Sequence, residues 1–71
     1  MKTITIEFKL DSGAVRGKGD NVIRFNDFHS DLIWCTNGSF FQVRQVLLED
    51  KGQITYLYPA VEIEHIEIET T

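Results

Sequence analysis

Apolar and polar residues alternate along the first ten positions of the chain. The apolar side chains fall on one side of an extended backbone, at Ile4, Ile6, Phe8 and Leu10. The polar ones fall on the other side, at Thr3, Thr5, Glu7 and Lys9. A period of two predicts a half-buried strand. Asp11-Ser12-Gly13 then predicts a turn, and the glycine-rich residues 14–21 predict a long loop.

A second pattern predicts a β-hairpin in the middle of the chain. Residues 22–25 form a short strand, Leu32 to Thr36 form the next, and Asn37-Gly38 is the dipeptide best suited to a type I′ turn. A two-residue turn there places Thr36 opposite Ser39, Trp34 opposite Phe41, and Leu32 opposite Val43. One face of the hairpin then forms core from Leu32, Trp34, Phe41 and Val43. The other face carries Ile33, Cys35 and Phe40 beside Asp31, Gln42 and Arg44.

In the last third of the chain the alternation of apolar and polar residues changes phase. Glu49-Asp50-Lys51-Gly52 predicts a type I turn with a positive φ at Gly52, and residues 53–58 predict a strand paired with the strand before it. Val61 and Ile63 are apolar at odd positions, whereas Ile66 and Ile68 are apolar at even positions. One regular strand does not place both pairs on the same face. We therefore predict a 3₁₀ turn over residues 60–64 and a closing strand over residues 65–70.

These elements predict an all-β domain that spans residues 1–71. A chain of 71 residues buries only ~60% of its unfolded surface, too little for two cores. The fold expected is a small, strongly curved antiparallel sheet or barrel of about five strands. The order of strand, 3₁₀ turn and short closing strand resembles the SH3-like barrels, a group that includes the Sm-like proteins. Such barrels bind peptides, nucleic acids or further subunits, so the resemblance implies no single function.

Charge is distributed unevenly over the chain, which has a formal net charge of −4. Residues 1–58 are balanced, with acids at Glu7, Asp11, Asp20, Asp27, Asp31, Glu49 and Asp50 and bases at Lys2, Lys9, Arg16, Lys18, Arg24, Arg44 and Lys51. The net charge is carried by Glu62, Glu64, Glu67 and Glu69. Such glutamates form the solvated side of an edge strand, where they prevent unwanted pairing, or a negative surface that docks on a basic partner. They disfavour direct binding of nucleic acid.

No residue pattern predicts catalysis. Cys35 is the only cysteine, which excludes an intrachain disulfide and fits a reducing cytoplasm. His29 and His65 are far apart and lack the spacing of zinc ligands. The loop Arg16-Gly17-Lys18-Gly19-Asp20 lacks the Gly-Lys-Ser/Thr of a P-loop. We expect a soluble, unprocessed cytoplasmic protein that is not an enzyme and has no cofactor, no metal and no membrane-spanning segment.

The sequence therefore predicts a protein-interaction module that binds a protein partner, acts as a small regulator or accessory protein, and self-associates, as a homodimer. The interface expected is the face of Ile33, Cys35 and Phe40, or an edge strand. The first alternative is an inhibitor encoded by a phage or mobile element, similar in action to anti-CRISPR or anti-restriction proteins, that occupies a basic groove with its acidic strand. The second is an Sm-like RNA- or DNA-binding barrel that gathers its basic residues by oligomerising. The candidate partner-binding residues are Ile33, Cys35, Phe40, Arg44, Glu62, Glu64, Glu67 and Glu69.

Overall fold

The strands follow the sequence pattern along most of the chain. The structure, a computed structural model, describes residues 1–17 and 19–71. Its strands are β1 (Lys2–Phe8), β2 (Val22–Asn26), β3 (Ser30–Asn37), β4 (Phe40–Leu47), β5 (Gln53–Pro59) and β6 (Ile63–Thr70), with a 3₁₀ helix, Ala60–Glu62, between β5 and β6. The all-β prediction is confirmed, with six strands in the described residues instead of about five. In the described part of the chain no helix has the length and apolar character needed to cross a membrane.

The strands form two antiparallel sheets of three strands each, in the orders β2-β1-β6 and β3-β4-β5. The core between them consists of Ile4, Ile6, Phe8, Val15, Phe25, Leu32, Phe41 and Val43. Aromatic rings join the sheets, since the Phe8 and Tyr58 centroids are 5.2 Å apart and those of Phe25 and Tyr56 are 5.0 Å apart. Strand pairing between described residues does not connect the two sheets. A closed barrel is therefore not confirmed.

Strand β1 confirms the predicted alternation over most of its length. Ile4, Ile6 and Phe8 are completely buried. Leu10, expected on the same side, is 88% exposed. The strand ends at Phe8, and the Lys9 N–H donates to the Glu62 carbonyl at 2.8 Å, which turns the chain away from the core before Leu10.

The predicted register of the β3–β4 hairpin is wrong, although its faces are right. Asn37 is opposite Phe40, Thr36 opposite Phe41 and Trp34 opposite Val43. The turn residues are thus Gly38, with φ +61°, and Ser39, and a glycine of positive φ at the first central position is typical of a type II′ turn. Each predicted partner moves by two positions along the opposite strand, and because side chains alternate with period two the faces are unchanged. Leu32, Phe41 and Val43 are buried, but Trp34 is 43% exposed.

The phase change near the end of the chain has two causes, of which one was predicted. The 3₁₀ helix is confirmed but covers only residues 60–62, and β6 begins at Ile63 instead of residue 65. Glu7 pairs with His65 whereas Phe8 pairs with Ile63, so Glu64 is an extra residue in β6. This β-bulge brings Ile63 and Ile66 to the same side of the sheet.

The turn between β4 and β5 differs from the predicted type I turn. Gly52 has the expected positive φ, but Glu49 and Asp50 also have positive φ values, of 62° and 57°. Left-handed φ at both central residues is that of a type I′ turn, which glycine, asparagine and aspartate favour. Glu49 therefore adopts a conformation that is unfavourable for a residue with a long side chain.

Candidate interaction surface

The outer face of the β3-β4-β5 sheet is the set of its side chains that point away from the core. Cross-strand pairing arranges them in rows: Asp31/Val46/Gln53, Ile33/Arg44/Thr55, Cys35/Gln42/Leu57 and Asn37/Phe40/Pro59. The predicted residues Ile33, Cys35, Phe40 and Arg44 are therefore brought together on one surface. Leu57, which we did not single out from the sequence, belongs to it as well.

Large apolar side chains on this outer face are open to solvent. Ile33 is 45% exposed, Phe40 42% and Leu57 52%, and Cys35 is exposed too. Arg44 is half-buried between Ile33 and Thr55. The only charged side chains in the rows are those of Asp31, in an end row, and Arg44, on the central strand. Leu57 was detectable in principle, because it lies between Tyr56 and Tyr58, which alternation places toward the core.

The four glutamates near the end of the chain do not form one surface. Glu62 is half-buried, and its Oε1 accepts hydrogen bonds from the Ser12 hydroxyl and the Gly13 N–H, both at 3.0 Å. Glu64 is exposed at the bulge. Glu67 and Glu69 are exposed on the outer face of the β2-β1-β6 sheet, opposite Thr5 and Thr3. Glu62 thus anchors the loop that follows β1, and the other three remain available to a partner.

The remaining titratable groups are dispersed. The His29 ring packs edge-on against the Phe28 ring, with centroids 4.6 Å apart. His65 lies in β6, and its Nε2 is 3.2 Å from the Glu67 carboxylate. Burial, with a smaller contribution from neighbouring Tyr56, raises the pKa of Tyr58 above its ordinary value of 10.0. No group of three or more metal-ligating side chains occurs among residues 1–17 and 19–71.

The predicted basic residues lie on separate surfaces. Arg24 pairs across from Thr5 on the outer face of the β2-β1-β6 sheet, and Arg44 lies on the outer face of the other sheet. Arg16 lines a surface cleft of about 580 Å³ together with Asp11 and Asp20. Lys18 lies outside the described residues. A single copy of the chain therefore does not gather Arg16, Arg24 and Arg44 into one basic surface.

Comparison of the chain with protein-family models, with curated proteins and with solved structures found no match.

Proposed function

We propose that this protein is a non-catalytic interaction module that self-associates by packing the outer face of its β3-β4-β5 sheet against that of a second copy. The observation that carries the proposal is the exposure of Ile33, Phe40 and Leu57 on adjacent strands. Large apolar side chains exposed together on one face of a small domain mark an interaction site. The outer face of the other sheet holds Thr3 and Thr5 of β1, so strand formation alone does not require apolar residues on an outer face.

The exposed area of the chain supports a partner. A folded monomer of 8.2 kDa has an accessible surface of about 4,500 Å². The surface of this chain is larger, at 4968 Å². Its core has eight buried apolar residues, and eleven large apolar residues are exposed in the described part of the chain. Covering part of that surface gains the hydrophobic stabilisation that the small core lacks.

The size of the outer face sets the strength expected of the contact. Three strands ~4.8 Å apart and seven or eight residues long cover roughly 24 by 14 Å in projection. Two such faces bury less than the ~1,200 Å² of a standard interface. We therefore expect a weak dimer that dissociates on dilution, in the range of about 1–100 μM.

Sedimentation equilibrium of the wild-type chain and two aspartate variants tests this proposal. Phe40→Asp places a charge on the central strand of the outer face, which removes this contact and shifts the mass towards that of the monomer. Phe28→Asp is the matched control, because Phe28 is 68% exposed but lies in the loop between β2 and β3. It leaves the mass as in the wild type. Equal masses for wild type and Phe40→Asp over this concentration range refute self-association through the outer face.

A second function is favoured by the exposure of Glu64, Glu67 and Glu69, namely docking of β6 in a basic groove of a nucleic-acid-binding protein. Among the described residues the only ion pair these carboxylates make is between Glu67 and His65. The test replaces these three glutamates with glutamine and keeps Glu62, which the loop requires. Proteins that the wild-type chain captures from its host are lost with the triple variant if this function is right, and are retained if it is wrong.

A further inference from the structure

The free edge of β5 is the part of the molecule best prepared to accept another strand. Two backbone hydrogen bonds of 2.8 Å close the ends of the β4–β5 ladder: the Leu47 N–H donates to the Gly52 carbonyl, and the Ala60 N–H donates to the Ser39 carbonyl. Bonded pairs alternate along an antiparallel ladder, so the even residues of β5 bond to β4. The N–H and C=O groups of Gln53, Thr55 and Leu57 consequently point outward. No hydrogen bond to them occurs within the described residues.

Each of the other three edges is covered or charged. On β3, the outward Leu32 carbonyl accepts a hydrogen bond from Lys2 Nζ at 3.1 Å. On β2, the Val22 N–H donates to the Asp20 carboxylate, also at 3.1 Å. Strand β6 carries Glu64, Glu67 and Glu69. Side-chain caps and charges of this kind prevent strands from pairing at an edge. Strand β5, with the sequence QITYLYP, has no charge and no side-chain cap, and its one proline, Pro59, is its last residue.

We propose that β5 pairs with β5 of a second copy of this chain, antiparallel and about a two-fold axis, to form one continuous sheet of both β3-β4-β5 sheets. The register that uses every outward group places Thr55 opposite Thr55 of the second copy and Gln53 opposite Leu57. On the core side it places Ile54, which is 42% exposed, opposite Tyr56. The pairing therefore covers an exposed isoleucine and also gives hydrogen-bond partners to the outward N–H and C=O groups of β5.

A second copy fits this edge because β5 is uncharged. A two-fold axis sets each residue of a strand opposite a residue of the same strand, so charged strands oppose their own charges. Two copies of β6 would bring glutamates together, whereas two copies of β5 bring together only polar, aliphatic and aromatic side chains. The paired sheet also joins the two outer faces into one wider surface. This inference does not depend on the outer face being an interface, because backbone groups of β5 form the edge contact whereas side chains of all three strands form the outer face.

Two threonine-to-proline variants test the β5 edge. Thr55→Pro removes an outward N–H without breaking the ladder to β4, as prolines on edge strands do. Thr70→Pro is the matched control on the β6 edge. Met1 and Thr71 bond to each other, so alternation directs the Thr70 N–H outward as well. Sedimentation equilibrium should give a mass half that of the wild type for Thr55→Pro and an unchanged mass for Thr70→Pro, with circular dichroism reporting the fold.

A pair of charge variants tests the register independently of proline strain. Thr55→Glu and Thr55→Lys each set like charges directly opposite each other, which weakens association. The effect is larger for lysine, because Arg44 of the same chain lies beside residue 55. An equimolar mixture of the two variants sets opposite charges together and restores the wild-type mass. If the mixture stays as dissociated as its components, or if Thr55→Pro associates as the wild type does, the β5 pairing is wrong.

These results separate the edge from the outer face. A mass that falls with Thr55→Pro but not with Phe40→Asp supports the β5 pairing and refutes the proposed contact of outer faces. The reverse pattern refutes the β5 pairing alone. If both surfaces act, each single variant leaves a dimer, and the double variant is monomeric. A wild-type chain that is monomeric at every concentration refutes both.

Discussion

Replacing Glu62 with alanine should destabilise the protein far more than the same change at its glutamate neighbours. The Glu62 carboxylate holds the loop after β1 through the Ser12 hydroxyl and the Gly13 N–H. Ser12 is 3% exposed, and its hydroxyl oxygen accepts from the Ala14 N–H at 3.1 Å. Without Glu62 the buried Ser12 hydroxyl still accepts from the Ala14 N–H, but its own proton has no acceptor. The loop that packs Val15 into the core is then released at its base.

The size of the effect follows from these two bonds. A hydrogen bond to a charged group contributes ~1.5–3 kcal/mol, and the contribution of Gly13 is reduced because its bond is exposed to solvent. We expect Glu62→Ala to lower the free energy of unfolding by about 2 kcal/mol. For a domain of this size that is roughly 10 °C in Tm. Glu62→Gln keeps an acceptor oxygen but loses the charge, and should cost about half as much.

Thermal unfolding followed by circular dichroism measures the difference, at one protein concentration because association shifts Tm. Glu64→Ala is the matched control: it removes an exposed carboxylate two positions away and should change the free energy by less than about 0.5 kcal/mol. Faster amide exchange at residues 12–15 should accompany the loss in Glu62→Ala. Equal Tm values for the two alanine variants would refute the anchoring role of Glu62.

Two further predictions concern the β4–β5 turn and the tyrosines. Replacing Glu49-Asp50 with Asn-Gly should raise the free energy of unfolding in urea by about 1 kcal/mol, because both positions have left-handed φ. The control, Lys51→Gly at a position of negative φ, should lower the free energy of unfolding. Equal effects of the two changes would contradict backbone strain at Glu49 and Asp50. Stability should fall as pH rises above 10, because the unfolded chain releases the Tyr58 proton while the folded chain, with its raised pKa, retains it. Tyr58→Phe should show a smaller fall in urea unfolding between pH 9 and 11, and an unchanged fall would contradict this linkage.

The sequence pattern predicts the faces of the sheets better than it predicts their pairing. Alternation assigns Ile4, Ile6 and Phe8 to the core, and all three are buried. The Asn37-Gly38 dipeptide, in contrast, leads to the wrong register, since Gly38-Ser39 forms the turn. The competing type II′ turn needs only one glycine at its first central position, and the shift keeps every apolar side chain on its own face. Local turn preference therefore leaves two registers open that burial does not separate.

The candidate surfaces illustrate a second limit. Four glutamates of similar spacing are equivalent in the sequence, yet Glu62 bonds to a loop some fifty residues earlier in the chain. The bulge at Glu64 likewise depends on pairing with β1, because Glu7 and Phe8 fix the residues opposite them. Such roles arise from contacts between distant segments, which a periodic pattern in one segment does not encode.

The outer faces of the two sheets differ in the residues they carry, and this contrast is the strongest reason to look for a partner on one of them. The β2-β1-β6 sheet presents threonines and charged residues such as Glu67 and Arg24, which form good strands or remain well solvated. The β3-β4-β5 sheet presents Ile33, Phe40 and Leu57 instead. Both sheets bury their inner faces in the same core, so folding requires neither outer face to be apolar. Packing against another protein surface gives a reason for apolar residues there, because their burial is favourable, and the same sheet contains the edge, β5, that has neither charge nor cap.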